Sequence, residues 1–114
     1  MIIGGVGADV IDIARFKRFG KNRNHPFIKK IFTKREINYC FGYTDPAPHL
    51  AGTFAAKEAT SKTLEASKNF FADIEIRRNK NGTPEVWRKN KKIKSVFISI
   101  THTNKIALAI AIKK

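Results

Sequence analysis

His49-Leu-Ala-Gly-Thr-Phe-Ala-Ala-Lys-Glu-Ala-Thr-Ser-Lys-Thr-Leu-Glu-Ala-Ser67 is the stretch on which the reading of this chain turns. It is rich in Ala, Lys, Glu and Leu, which lose little side-chain freedom in a helix, and it holds no proline. Gly52, near its start, is its weak point. Apolar residues lie almost all round it, at Leu50, Ala51, Phe54, Ala55, Ala56 and Ala59. A helix of that composition puts part of even its polar side into a buried or cleft position.

Beyond this helix the period changes. Phe71 to Arg77 alternates, with Ile74 and Ile76 inward and Asp73, Glu75 and Arg77 outward, which predicts a strand. Asn79-Lys-Asn-Gly82-Thr-Pro84 reads as a turn, and Glu85 to Arg88 as the returning strand. Phe97–Ile100 and Ile106–Ile112 predict a last hairpin around Thr103-Asn104-Lys105. In the final strand Ile106, Leu108, Ile110 and Ile112 take one face and Ala107, Ala109 and Ala111 the other. Both faces are apolar, so the strand is expected to be covered twice, once by another subunit.

Before the helix the signals are shorter. Met1 to Val10 is apolar and glycine-rich, a short strand running into a tight loop, with Asp9 at the strand's end. From Asp12 the pattern is helical, with Ile13, Phe16 and Phe19 on one face. His25-Pro26 interrupts, and Phe27, Ile28, Ile31 and Phe32 give another apolar patch. Thr33-Lys-Arg-Glu36 fits a capping box, predicting a helix from Thr33 toward Phe41, and Gly42 to Pro48 is expected to be a loop. Helices early and antiparallel strands late make an α+β arrangement, one domain over residues 1–114.

Composition limits the function. There are 114 residues, with 23 Lys+Arg against 9 Asp+Glu, a net charge of +14. The 42% hydrophobic content excludes a disordered basic tail. Seven residues, Ile106 to Ile112, form the longest apolar run, far short of the roughly 18 that a membrane span needs. The N-terminus lacks the positive segment of a signal peptide. Cys40 is the only cysteine, which suits a reducing cytoplasm, and it is expected to be a core thiol. On charge alone, nucleic acid is the leading partner class, ahead of an anionic membrane face, a phosphate-rich small molecule or an acidic protein.

Four places could carry chemistry. Asp9, in Gly5-Val-Gly7-Ala-Asp9, either caps the following helix or holds a hard cation. Glu58 and Lys62 are four apart on the strongest helix, which reads either as a surface ion pair or as part of a cleft. Lys57 points to another side, where exposure is the default. His102 ends an alternating strand, with hydroxyls at Ser99, Thr101 and Thr103 nearby; it is a surface histidine or a phosphate contact.

In order along the chain these pieces resemble the holo-acyl-carrier-protein synthase family of phosphopantetheinyl transferases. Gly5-Val-Gly7-Ala-Asp9, with Arg15 six residues on, resembles the family's opening. Phe54-Ala-Ala-Lys57-Glu58-Ala-Thr-Ser-Lys62 resembles its central helix, and Asp73-Ile-Glu-Ile, Asn81-Gly-Thr-Pro84 and Ser99-Ile-Thr-His102-Thr follow in its order. The resemblance implies transfer of the 4'-phosphopantetheine arm of coenzyme A to a serine of acyl carrier protein, with release of adenosine 3',5'-bisphosphate, in fatty acid biosynthesis. It implies Mg²⁺ on Asp9 and Glu58, with Glu58 aiding serine deprotonation and Lys62 stabilising the leaving phosphate. Coenzyme A contacts are implied for Lys57, Lys62, Gly82, Pro84, His102 and Thr103, and carrier-protein contacts for Arg15, Arg18 and Lys21. A cytoplasmic homotrimer with sites between subunits is implied as well, with neither nucleic acid nor membrane as partner.

The sequence departs from the family pattern twice. Thr53 stands where the family usually has arginine, and the stretch from Thr63 to Phe71 lacks the usual glycines, with Lys68 a substitute for part of that loop. A Mg²⁺-dependent nuclease and a basic nucleic-acid-binding domain are the distant alternatives. Such nucleases commonly place the second acid and the lysine two apart on a strand, whereas here they are four apart on a helix.

Overall fold

The structure, a computed structural model, describes residues 2–64 and 70–114. β1 (Gly5–Asp12) is followed by three short helices, α1 (Ala14–Lys17), α2 (Pro26–Ile31) and α3 (Lys34–Cys40), and by the long α4 (Ala47–Ser61). After the single turn α5 (Phe70–Asp73) come β2 (Ile74–Arg78), β3 (Pro84–Arg88), β4 (Lys91–Lys92), β5 (Val96–His102) and β6 (Ile106–Lys113). All pairings are antiparallel, in two sheets of order β1-β6-β5 and β2-β3-β4. The α+β expectation holds.

α4 is the axis of the molecule. From Leu50 to Thr60 every residue is buried except Glu58. Small residues let the helix lie close on the first sheet. Ala107, Ala109 and Ala111 of β6 are fully buried beneath it. Gly7 is where β1 meets it most closely: a Cβ there would stand 2.0 Å from the Ala59 carbonyl oxygen. Gly52, which weakens the helix by propensity, admits Ile100 of β5 instead; a Cβ would sit 2.9 Å from its Cγ2. The opposite face of this sheet is open: Val6, Val10, Phe97, Ile106 and Ile110 are all exposed. Register lines up Val6, Ile112 and Phe97 across the three strands as one apolar row.

Several boundaries differ from the expectations. The expected loop ends earlier, at Pro46, which is the N-cap of α4; Pro48 lies in the first turn, where a missing N–H costs nothing. His25-Pro26 likewise starts α2, with His25 Nδ1 accepting from the Phe27 N–H at 3.1 Å. Residues 71–73 belong to the α5 turn, and the strand begins at Ile74, with Ile74 and Ile76 inward as expected. α4 ends at Ser61; its expected continuation through residues 65–67, and Lys68 with the glycine-free loop around it, lie outside the described residues. Thr33 and Glu36 form the expected capping box. Cys40 is a fully buried thiol, pushed up to about 12 by burial. No helix among the described residues is long and apolar enough to cross a membrane.

Candidate active site

Asp9 lies in the middle of β1, opposite Ala109, not at a strand end and not as a helix cap. The correction follows from alternation. Gly7, Asp9 and Ile11 share the face turned to α4, so the close approach at Gly7 carries Asp9 onto the C-terminal half of that helix. Glu58 and Lys62, one turn apart, meet it there. Lys62 Nζ stands 3.9 Å from Asp9 Oδ1 and donates to the Ala8 carbonyl at 2.7 Å. Arg15, on the helix after β1, completes the group and lays its guanidinium 5.7 Å from the Phe54 ring centroid.

Both carboxyls are raised, for partly different reasons. Burial lifts the Glu58 carboxyl above its ordinary value, and the Asp9 charge lifts it further, against Lys62 and Arg15. Burial lifts Asp9 as well, again opposed by Lys62 and Arg15. The ionised pair is therefore short of positive charge, the condition a hard cation relieves. No group of three His, Cys, Asp or Glu side chains suited to a metal occurs among the described residues. An all-oxygen pair fits Mg²⁺, which takes one or two carboxylates and completes its shell with water and substrate phosphates.

A second cluster lies along β5. Tyr39, Pro48, His49, Gly52, Arg78, Gly82, Pro84, Ile100 and His102 line a cleft of about 220 Å³. His102, Gly82 and Pro84, chosen from separate motifs, are thus brought together. Thr103 is beside them in sequence, but its hydroxyl oxygen accepts from the Lys105 and Ile106 N–H groups and closes the β5–β6 turn. His49 stacks on Tyr43 at 3.5 Å and lies 6.1 Å from His102; burial and the nearby His102 and Arg78 charges lower its pKa. The two clusters occupy opposite edge strands, β1 and β5, with β6 and α4 between them.

Lys57 belongs to neither. Expected exposed and bound to coenzyme A, it is fully buried, donating to Glu36 Oε1 at 2.7 Å and to the Phe71 carbonyl at 2.5 Å. A turn of 100° per residue points it away from Glu58 into the interior between α3 and β2. Arg15 and Arg18 are exposed; Arg18 packs over Phe19 and Phe27, with Lys21 in the turn that follows. Sequence reasoning passed over Arg78, His49 and Tyr39. Arg78 did leave a signal: it shares the inward parity of Ile74 and Ile76, where a charged residue is out of place.

Comparison with known proteins places the sequence and the fold in a family. The sequence profile of the 4'-phosphopantetheinyl transferase superfamily matches residues 5–111. A holo-[acyl-carrier-protein] synthase of Thermodesulfovibrio yellowstonii is 41% identical, over 97% of this chain and 98% of that protein. The crystal structure of a holo-(acyl-carrier-protein) synthase from Bacillus anthracis in complex with CoA (3',5'-ADP) superposes with a TM-score of 0.78 at 31% identity, covering 99% of this chain and 97% of the other. The Helicobacter pylori holo-[acyl-carrier-protein] synthase in complex with coenzyme A gives 0.79 at 30% identity, over 96% and 99%. The chain belongs to the 4'-phosphopantetheinyl transferase superfamily, among the holo-[acyl-carrier-protein] synthases.

Proposed function

From that membership, we propose that this chain moves the 4'-phosphopantetheine arm of coenzyme A onto a serine of acyl carrier protein and releases adenosine 3',5'-bisphosphate. The observation that carries it is the meeting of Asp9, Glu58 and Lys62 where β1 crosses α4. Asp9 and Glu58 hold Mg²⁺. When bound, that ion supplies charge neutralisation at the pyrophosphate. Glu58, its basicity raised by burial and by Asp9, takes the serine proton directly or through water. Lys62 places its half-exposed ammonium where it can neutralise or protonate the departing phosphate.

Charge and shape supply the rest of the reading. Arg15, Arg18 and Lys21 offer a basic face to an acidic carrier protein, and the +14 charge steers both anionic substrates inward. The open apolar row of Val6, Ile112 and Phe97 is covered by other copies in a homotrimer. Because α4 and β6 separate the acid pair from the His102 cleft within one chain, a complete site combines the acid pair of one subunit with the cleft of its neighbour. The reaction belongs to the cytoplasm and to fatty acid synthesis.

Mass spectrometry tests the reading. Apo acyl carrier protein from the same organism, mixed with this protein, coenzyme A and Mg²⁺, should gain one phosphopantetheine mass. Absence of that gain would sink the proposal, and full activity in both Asp9→Asn and Glu58→Gln would remove the metal assignment.

A further inference from the structure

Two arginines of the basic face are seated on aromatic rings, and the two seats are built differently. Arg18 lies 4.7 Å from the Phe19 ring centroid and 5.7 Å from that of Phe27, both near it in sequence. Arg15 takes its seat from another element: its guanidinium stands 5.7 Å from the ring centroid of Phe54, on α4. Arg15 is exposed, and among the described residues it forms no ion pair. Such a side chain has many rotamers open to it, and the ring is the contact that selects among them. The ring is held in turn. Phe54 is buried, with Phe16 at 5.6 Å and 54° and Phe71 at 5.5 Å and 19°. Phe71, the near-parallel partner, sits in the α5 turn and is anchored through its main chain, where its carbonyl accepts from Lys57 Nζ at 2.5 Å. One line of contacts therefore runs from the buried Glu36–Lys57 pair through Phe71 and Phe54 to Arg15.

We infer that Phe71 is a positioning residue for carrier-protein recognition: by stacking on Phe54 it holds Arg15 in the orientation that meets an acidic side chain of the carrier. The inference rests on the transferase reading above, and it gives Phe71 a part played through Arg15 rather than by contact with either substrate. The physical reason is preorganisation. A guanidinium already aimed loses less freedom when a carboxylate arrives. Two stacked flat rings fix its support, where a single flexible side chain would let that support tilt.

A double-mutant cycle on the full protein, with acyl carrier protein, coenzyme A and Mg²⁺, tests this. Phe71→Leu should raise KM for carrier protein about 2- to 5-fold, the scale of an exposed cation–π contact, and leave KM for coenzyme A unchanged. Arg15→Gln should raise the same KM about 10-fold or more. Added to Arg15→Gln, Phe71→Leu should have no further effect, because the group it orients is gone. Phe71→Tyr, which keeps the ring, should restore the wild-type KM. Effects that multiply in the double variant, a rise in both KM values, or a Phe71→Leu enzyme with wild-type kinetics overturns the assignment. The wild type alone gives a second readout: NMR should find the Arg15 side-chain protons shifted upfield by the Phe54 ring, and unshifted protons overturn the seat. In Phe71→Leu that shift should shrink while those of Arg18 stay. A wild type that adds no mass to carrier protein overturns the transferase reading, whereas normal transfer with multiplying effects overturns this inference alone.

Discussion

Two lysine–carboxylate pairs hang from α4 and differ in almost everything but composition. Lys57 and Glu36 are both fully buried and 2.7 Å apart. Lys62 and Asp9 are 3.9 Å apart, with side chains 52% and 21% exposed. The buried pair is saturated. Glu36 also accepts from the Thr33 N–H at 2.8 Å and the Ile76 N–H at 2.7 Å, and Lys57 reaches the Phe71 carbonyl, so one ion pair ties α3, α4, α5 and β2 together. The open pair is under-satisfied, with a second carboxylate, Glu58, beside it. Saturation makes a structural joint, and shortage of partners makes a site that can accept a ligand.

The largest expected effect attacks the joint. Lys57→Met leaves the Glu36 charge buried without its cation, and chemical denaturation should show a loss of about 3–5 kcal/mol. Adding Glu36→Gln should recover part of that, since a neutral amide needs no cation and its oxygen can still accept from a backbone N–H that Glu36 now satisfies. A Lys57→Met protein as stable as wild type would erase the distinction between the pairs. Lys62→Met should behave in the opposite way. An exposed pair at 3.9 Å is worth at most about 1 kcal/mol, so melting should barely move. Turnover of coenzyme A should nevertheless fall roughly 100-fold or more, the scale of a lost proton-transfer or leaving-group contact. Gly7→Ala comes next, because its methyl would collide with the Ala59 carbonyl. Pushing β1 off α4 should cost about 1–3 kcal/mol, and it should cut activity further than stability by parting Asp9 from Glu58.

The sequence disclosed the two pairs unequally. Glu58 and Lys62 were legible because their spacing of four matches the helical repeat, and the capping box disclosed one duty of Glu36 because Thr33 and Glu36 are local. The ion pair between Glu36 and Lys57 spans 21 positions and depends on how α3 packs against α4, which no local pattern records. Lys57 was read as exposed because lysine usually is; tertiary packing overrode the habit. Asp9 was seen as an acid near glycines, but its role as a mid-strand residue depends on a register with β6 a hundred positions away. Arg78 was missed for a similar reason. Its partners Thr53, Tyr39 and His102 come from three other elements. Alternation and capping are local physics and can be read; cross-element partnering cannot.

The smallest effect is a difference in sign. Removing a neighbour from each glutamate should move its titration in opposite directions. Glu58 is raised by burial first and by Asp9 second, so Asp9→Asn should bring its pKa down, though burial still holds it above the ordinary carboxylate value. Glu36 is raised by burial and held back chiefly by Lys57, so Lys57→Met should send its pKa further up. The consequences for stability follow from proton linkage. A carboxyl whose folded pKa exceeds its unfolded one binds a proton more readily when folded, so the protein gains stability as pH falls through the folded value and gains no more below the unfolded one. Lys57→Met should therefore be relatively more stable in mild acid than at neutral pH, and wild type should show less of that gain. Asp9→Asn should flatten the corresponding contribution from Glu58. Denaturation midpoints across the acid range, with NMR titration of the glutamate side chains, would show it. Shifts of the same sign in both variants would mean that Asp9 and Lys57 act alike on their glutamates, and the contrast between joint and site would fail.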